Sequence, residues 1–149
     1  MNLSPHTWIL IADAARARIF AVEGPRDPWV AVDVEDHPEG RLRGVDLVSD
    51  RPGRSFHSSA PARSAMEPHT DPREVEAQRF ARALAERALA GRREGAYESL
   101  VLVAPPRFLG HLRSALAPGV AERVSASIDA DLTHFADGDL PAAIAHRLD

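Results

Sequence analysis

Cysteine does not occur in this chain. That excludes disulfide staples, thiol catalysis and any zinc site built on thiolates. Lysine is missing as well: all 18 basic residues are arginine, set against 22 acids for a formal charge of −4. A net acidic chain lacks the broad positive field on which most nucleic-acid binders rely, so only a local basic patch could serve such a partner. Aromatic residues make up only 5%, and aliphatic and alanine packing has to fill the interior. Near the start the only apolar run is Trp8 to Ala12, far short of the roughly 7–15 residues of a signal-peptide core or the about 20 of a membrane span. The expectation is a cytoplasmic protein with no membrane partner.

What is present reads as one domain over residues 1–149, because two halves of such a chain would each be marginal. Trp8 to Ala12 suits a strand buried on both faces. Ala17 to Val22 follows at once, which predicts a tight antiparallel turn over Asp13 to Arg16. From Trp29 to Asp36 apolar and polar residues alternate, predicting a half-exposed third strand with Val30, Val32 and Val34 on one face and Asp33 and Glu35 on the other. Asp71-Pro72-Arg73-Glu74 supplies a capping acid, a proline for the first helical position and a first-turn glutamate. The helix it starts is predicted to bury Ala77, Phe80, Ala81, Leu84 and Ala88 and to stop at Gly91. A strand over Leu100 to Ala104 ends at Pro105-Pro106, and a helix over Arg107 to Ala117 follows. Val124 to Ile128 reads as a fifth strand and Leu140 to Leu148 as a closing helix capped by Asp139. The order β-β-β-α-β-α-β-α describes an α/β fold, a mixed sheet with helices on both faces.

An RNase H-type nuclease shares that order and would need carboxylates converging from several elements to hold two metal ions. Asp13 could supply the first. The fourth strand ends in Val103-Ala104-Pro105-Pro106, with no acid there, and Asp13 reads as a turn residue. Asp129, Asp131, His134, Asp137 and Asp139 lack the spacing of a calcium loop and read as turn and cap residues. The seven histidines show no metal-binding spacing, and neither a serine elbow nor a phosphate-binding glycine loop is present. No cofactor is expected.

Between His37 and Thr70 no period of 2 or 3.6 is visible, and Pro, Gly, Ser and Arg dominate; this predicts a loop longer than compact domains usually carry. Within it Arg51, Arg54 and Arg63 occur without an acid from Arg51 to Met66. Arginine forks beside Ser55 hydroxyl and backbone amides suit phosphate or carboxylate groups, and Phe56, next to His57, could stack on a base.

Several separated stretches are characteristic together: Asp46 to Phe56, Met66-Glu67-Pro68, Glu76 to Ala81, Leu102 to Gly110, and Asp131-Leu132-Thr133. In this order they resemble the bacterial family of proteins required for attachment to host cells, over nearly the whole chain. That family is similar to the middle domain of archaeo-eukaryotic release factors and of Pelota, an RNase H-like α/β domain. The resemblance implies that Arg79-Phe80-Ala81-Arg82 matches the helix after the release factors' Gly-Gly-Gln tip, and that the long segment matches the loop entering the peptidyl-transferase centre. Where Gly-Gly-Gln should fall this chain has Arg73-Glu74-Val75, with Gln78 one turn later. The expectation is therefore a non-enzymatic module that meets ribosome, RNA or another anionic partner through Arg51, Arg54, Ser55, Phe56, His57, Arg63, Arg73 and Arg79. The alternative is a hydrolase of peptidyl- or aminoacyl-tRNA esters using Gln78, Glu74 or His57.

Overall fold

The computed structural model describes residues 3–41 and 71–148. Five strands form one sheet: β1 (Thr7–Ala12), β2 (Arg16–Val22), β3 (Val30–Asp36), β4 (Ser99–Ala104) and β5 (Val124–Asp129). Their spatial order is β3-β2-β1-β4-β5. β2 runs antiparallel to both β1 and β3, whereas β4 runs parallel to β1 and to β5. The helices are α1 (Pro72–Arg93), α2 (Pro106–Ala115), the short α3 (Pro118–Ala121) and α4 (Leu140–Leu148). α3 is an addition to the expected order; Pro118 opens it and holds Ala117 extended, which helps end α2 at Ala115, short of the predicted Ala117. Residues Pro38–Arg41, expected within the loop, form a short 3-10 turn.

Alternation along the buried strands divides the core. Trp8, Leu10, Leu100 and Leu102 pack with Phe80, Leu84, Phe108 and Leu112 of α1 and α2 on one face. Ile9, Ile11, Val101 and Val103 pack with Leu140 and Ile144 of α4 on the other. Both faces of β1 and β4 are therefore covered, as their continuous apolar sequence requires.

α1 begins as the sequence indicates, with Asp71 accepting a hydrogen bond from the Arg73 amide at 2.9 Å and Pro72 in the first turn. It does not stop at Gly91. The glycine that ends it is Gly95, at φ +71°, whose amide donates to Arg92 O while that of Ala96 donates to Gly91 O, a Schellman closure. Gly91 serves packing instead: a Cβ there would lie 2.5 Å from Trp8 Cη2 and 3.1 Å from Tyr97 Cε1. Trp8 cannot step aside easily, being buried with Tyr97 at 4.8 Å and the Arg87 guanidinium 5.1 Å over its ring. Gly91→Ala should therefore destabilise by about 1–2 kcal/mol, overpacking outweighing the roughly 1 kcal/mol gained in helix propensity. Urea unfolding would read this as a lower midpoint at unchanged slope.

β3 departs from the predicted alternation. The register with β2 shifts between Ile19 and Phe20, so Ala31 and Asp33 are opposite consecutive residues and Val32 is the extra residue of a bulge. Val30 then shares a face with Ala21 and Val34 with Arg18, and all three valines are exposed, at 57, 37 and 68%. Asp33 points to α1, where its Oδ2 accepts a 2.9 Å bond from Arg87 Nε. That bond is the main reason the Asp33 pKa lies below its ordinary value, whereas burial and then the neighbouring Asp33 carboxyl push Glu35 up. The signs are opposite. Asp33 adds stability above the ordinary aspartate range that is lost as pH falls through its lowered value; ionised Glu35 costs stability at neutral pH, a cost that vanishes below the ordinary glutamate range. Glu35→Gln should raise the melting temperature by about 1–3 °C at pH 7, and the gain should disappear in melts at pH 4.

Candidate functional site

In open sheets with parallel strands, ligands collect beyond the carboxyl ends of those strands, where helices begin. Here β1 and β4 end side by side, and α1 and α2 both start at that edge. A cavity of about 520 Å³ lies there, within the range of ligand pockets. Asp13, Ala14 and Ala15 of the β1–β2 turn form one side, Gly40 and Asp71 another, and Arg73, Glu74, Arg107, Phe108 and His111 of the two helices the rest.

Each charged group is held by local structure. Asp13 Oδ1 accepts the amides of Ala15 at 2.7 Å and Arg16 at 2.9 Å, closing the β1–β2 turn, and its Oδ2 accepts the Thr133 hydroxyl at 2.7 Å. Gly40 fits where a Cβ would meet Ala14 O at 1.9 Å, so only glycine lets this 3-10 turn sit against the hairpin. Arg73 pairs with Asp71 at 3.2 Å. Glu74, in the first turn of α1, lies 2.5 Å from His111 Nε2 and 3.4 Å from Arg107 Nη1. The His111 contact is an ion-pair distance without hydrogen-bond geometry. Arg107 and His111 are four apart on α2 and so share its face. The side chains of Arg73 and Arg107 are 62% and 82% exposed at the mouth.

The sequence-based candidates divide. Arg73 and Glu74 line the cavity. Arg79 does not; it pairs with Glu76 at 2.6 Å on the outer surface of α1. Gln78 lines a separate depression with Arg82, His111 and Ser114, so Gln78 and Glu74 do not converge on one cavity. Arg51, Arg54, Ser55, Phe56, His57 and Arg63 lie outside the described residues. Arg107 and His111 were missed by motif reading, since their only sequence signal is a helix opening directly after a parallel strand.

Asp13, Asp131 and His134 bring one potential ligand atom each within 4.8 Å of one another. Their partners are already defined: Thr133 Oγ1 sits 2.7 Å from Asp13 and 3.2 Å from Asp131, and Arg16 Nη2 lies 3.2 Å from His134 Nδ1. A guanidinium already supplies positive charge beside the cluster. Among the described residues no helix is long and apolar enough to cross a membrane.

Comparison with known families places residues 8–144 under one family model, described as "Protein required for attachment to host cells". No curated protein matches the chain.

Proposed function

The chain belongs to the family of proteins required for attachment to host cells, and on that premise we propose that it is a non-enzymatic, cytoplasmic RNA-binding module of release-factor-like ancestry. Phosphates of the RNA, free or within a ribosome, are taken at the cavity beyond β1 and β4. The observation that carries this reading is the pair Arg73 and Arg107, exposed at the mouth where two helices begin. Guanidinium forks match phosphate oxygens, and the amino ends of helices favour negative charge.

Two further features support it. A mixed five-stranded sheet with an antiparallel β2 and helices on both faces is compatible with the RNase H-like domain that release-factor-like ancestry implies. Gly40 and Asp71, which precede and follow in sequence the segment bearing Arg51, Arg54 and Arg63, both line the cavity. A role in attachment to host cells is then indirect, through whatever the RNA contact controls.

Binding of a short, 5′-phosphorylated single-stranded RNA, followed by fluorescence anisotropy at low salt, tests the proposal. Arg73→Ala/Arg107→Ala should weaken it by about tenfold or more. Equal binding by the variant, or none by the wild type, would remove the reading.

A further inference from the structure

The cavity beyond β1 and β4 is apolar at its base and cationic at its rim. Ala77 and Phe108, both buried, form the floor, and Ala14, Ala15 and Pro105 continue that surface toward the mouth. The arginines stand outermost, with the side chains of Arg73 and Arg107 62% and 82% exposed. The more sheltered carboxylates are Glu74, at 29%, and Asp13, half-buried with both oxygens already accepting hydrogen bonds. A phosphate gains nothing by entering such a space. Its charge is met at the rim, whereas inside it would lose water to an apolar floor and approach two carboxylates. A phosphate alone would also leave most of the about 520 Å³ unfilled. An uncharged planar group suits that interior, and a nucleotide carries one beside its phosphate.

Resting on the RNA-binding reading, we propose that the cavity takes one unpaired base of an RNA strand, with flanking phosphates held at Arg73 and Arg107, and that the protein therefore selects single-stranded over duplex RNA. In a duplex each base is covered on both faces by its neighbours and paired along its edge, so entry requires unstacking and unpairing. In a single strand the base can be splayed out at far lower cost. Arg73 and Arg107 come from different helices, α1 and α2, so guanidinium forks reach the mouth from two sides. Each meets a carboxylate, Asp71 and Glu74 respectively, and a guanidinium has further N–H groups to offer phosphate oxygens. Burial of the base supplies the part of the affinity that depends on its presence, and the phosphates supply the part that depends on salt.

The experiment measures four probes at low salt on wild type and on Ala14→Leu: a short single-stranded RNA, the same RNA annealed to its complement, a sugar-phosphate strand of the same length without bases, and adenosine 5′-monophosphate. Wild type should bind the single strand about tenfold or more tighter than the duplex and than the base-free strand. Adenosine 5′-monophosphate, with one phosphate in place of a strand's several, should also bind about tenfold or more weakly. Ala14 lines the cavity and packs against the core beneath α1 and α2, so leucine there occupies part of the space. Ala14→Leu should lower the affinity for the single strand toward that for the base-free strand, which should itself stay within about twofold of wild type. Equal binding of the single strand and either the duplex or the base-free strand by wild type overturns the base site while leaving the phosphate contact at Arg73 and Arg107 intact. A base preference undiminished in folded Ala14→Leu overturns it as well. Adenosine 5′-monophosphate as tight as the single strand would assign the cavity to a free nucleotide and overturn its role in holding a strand. Failure of wild type to bind any probe overturns both readings. Should Ala14→Leu not fold by circular dichroism, the wild-type comparison of the single strand with the base-free strand decides.

Discussion

Phe80→Ala is expected to cost about 3–5 kcal/mol of stability, lowering the melting temperature by roughly 6–20 °C. Phe80 is buried in the middle of α1, and its ring lies 5.9 Å from Phe108 of α2 and 5.0 Å from His37, stacked within 7° of parallel. Truncation removes apolar area and leaves a cavity that neither the strands nor two adjoining helices can collapse into fully. The damage reaches the candidate site. Phe108 lines the cavity, and His37, held 3.1 Å from Glu76 and 3.6 Å from Glu39, seats the turn that carries Gly40. RNA affinity should therefore fall along with stability. Phe80→Leu, which keeps most of the volume, should lose less than about half as much. Thermal melts of both variants, with anisotropy at a temperature where each remains folded, would check this; a melting temperature within 2 °C of wild type for Phe80→Ala would be incompatible with the packing described.

Arg73→Ala/Arg107→Ala is expected to do the reverse, removing function while sparing the fold. Both side chains are largely exposed and their carboxylate partners are at 3.2 and 3.4 Å, contacts that contribute at most about 1 kcal/mol each. Against single-stranded RNA each lost phosphate contact should flatten the slope of log affinity against log salt by about 0.7, so the double variant should lose about 1.4. Arg79→Ala provides the internal control. Its guanidinium is engaged by Glu76 away from the cavity, and neither the affinity nor the slope should move appreciably. If Arg79→Ala were as damaging as the double variant, the contact would belong to the outer face of α1.

Local signals carried most of the fold. The apolar run from Trp8 and the Asp71-Pro72 start of α1 are decided by neighbours in sequence, and both were readable there. Gly91 and Gly95 could not be told apart because each is a helix-stopping residue by type; the approach of Trp8, 83 positions earlier in the chain by the numbering, makes one a packing residue. The bulge in β3 is set by pairing with β2 and reverses which side chains face α1, so alternation alone misassigned the valines. The candidate site was half legible for the same reason. Arg73 and Glu74 adjoin a recognisable cap, but Arg107 and His111 come from α2 and meet them only through the packing of α2 against α1, with β1 and β4 parallel beneath.

Backbone amide resonances followed by NMR while the 5′-phosphorylated RNA is titrated into the protein would locate the contact directly. Saturable shifts centred on Arg73, Glu74, Arg107 and His111, reduced in Arg73→Ala/Arg107→Ala, are the predicted result. Shifts confined to the exposed edge of β3 or to α4, with those four residues unmoved, would contradict an RNA site at the carboxyl ends of β1 and β4.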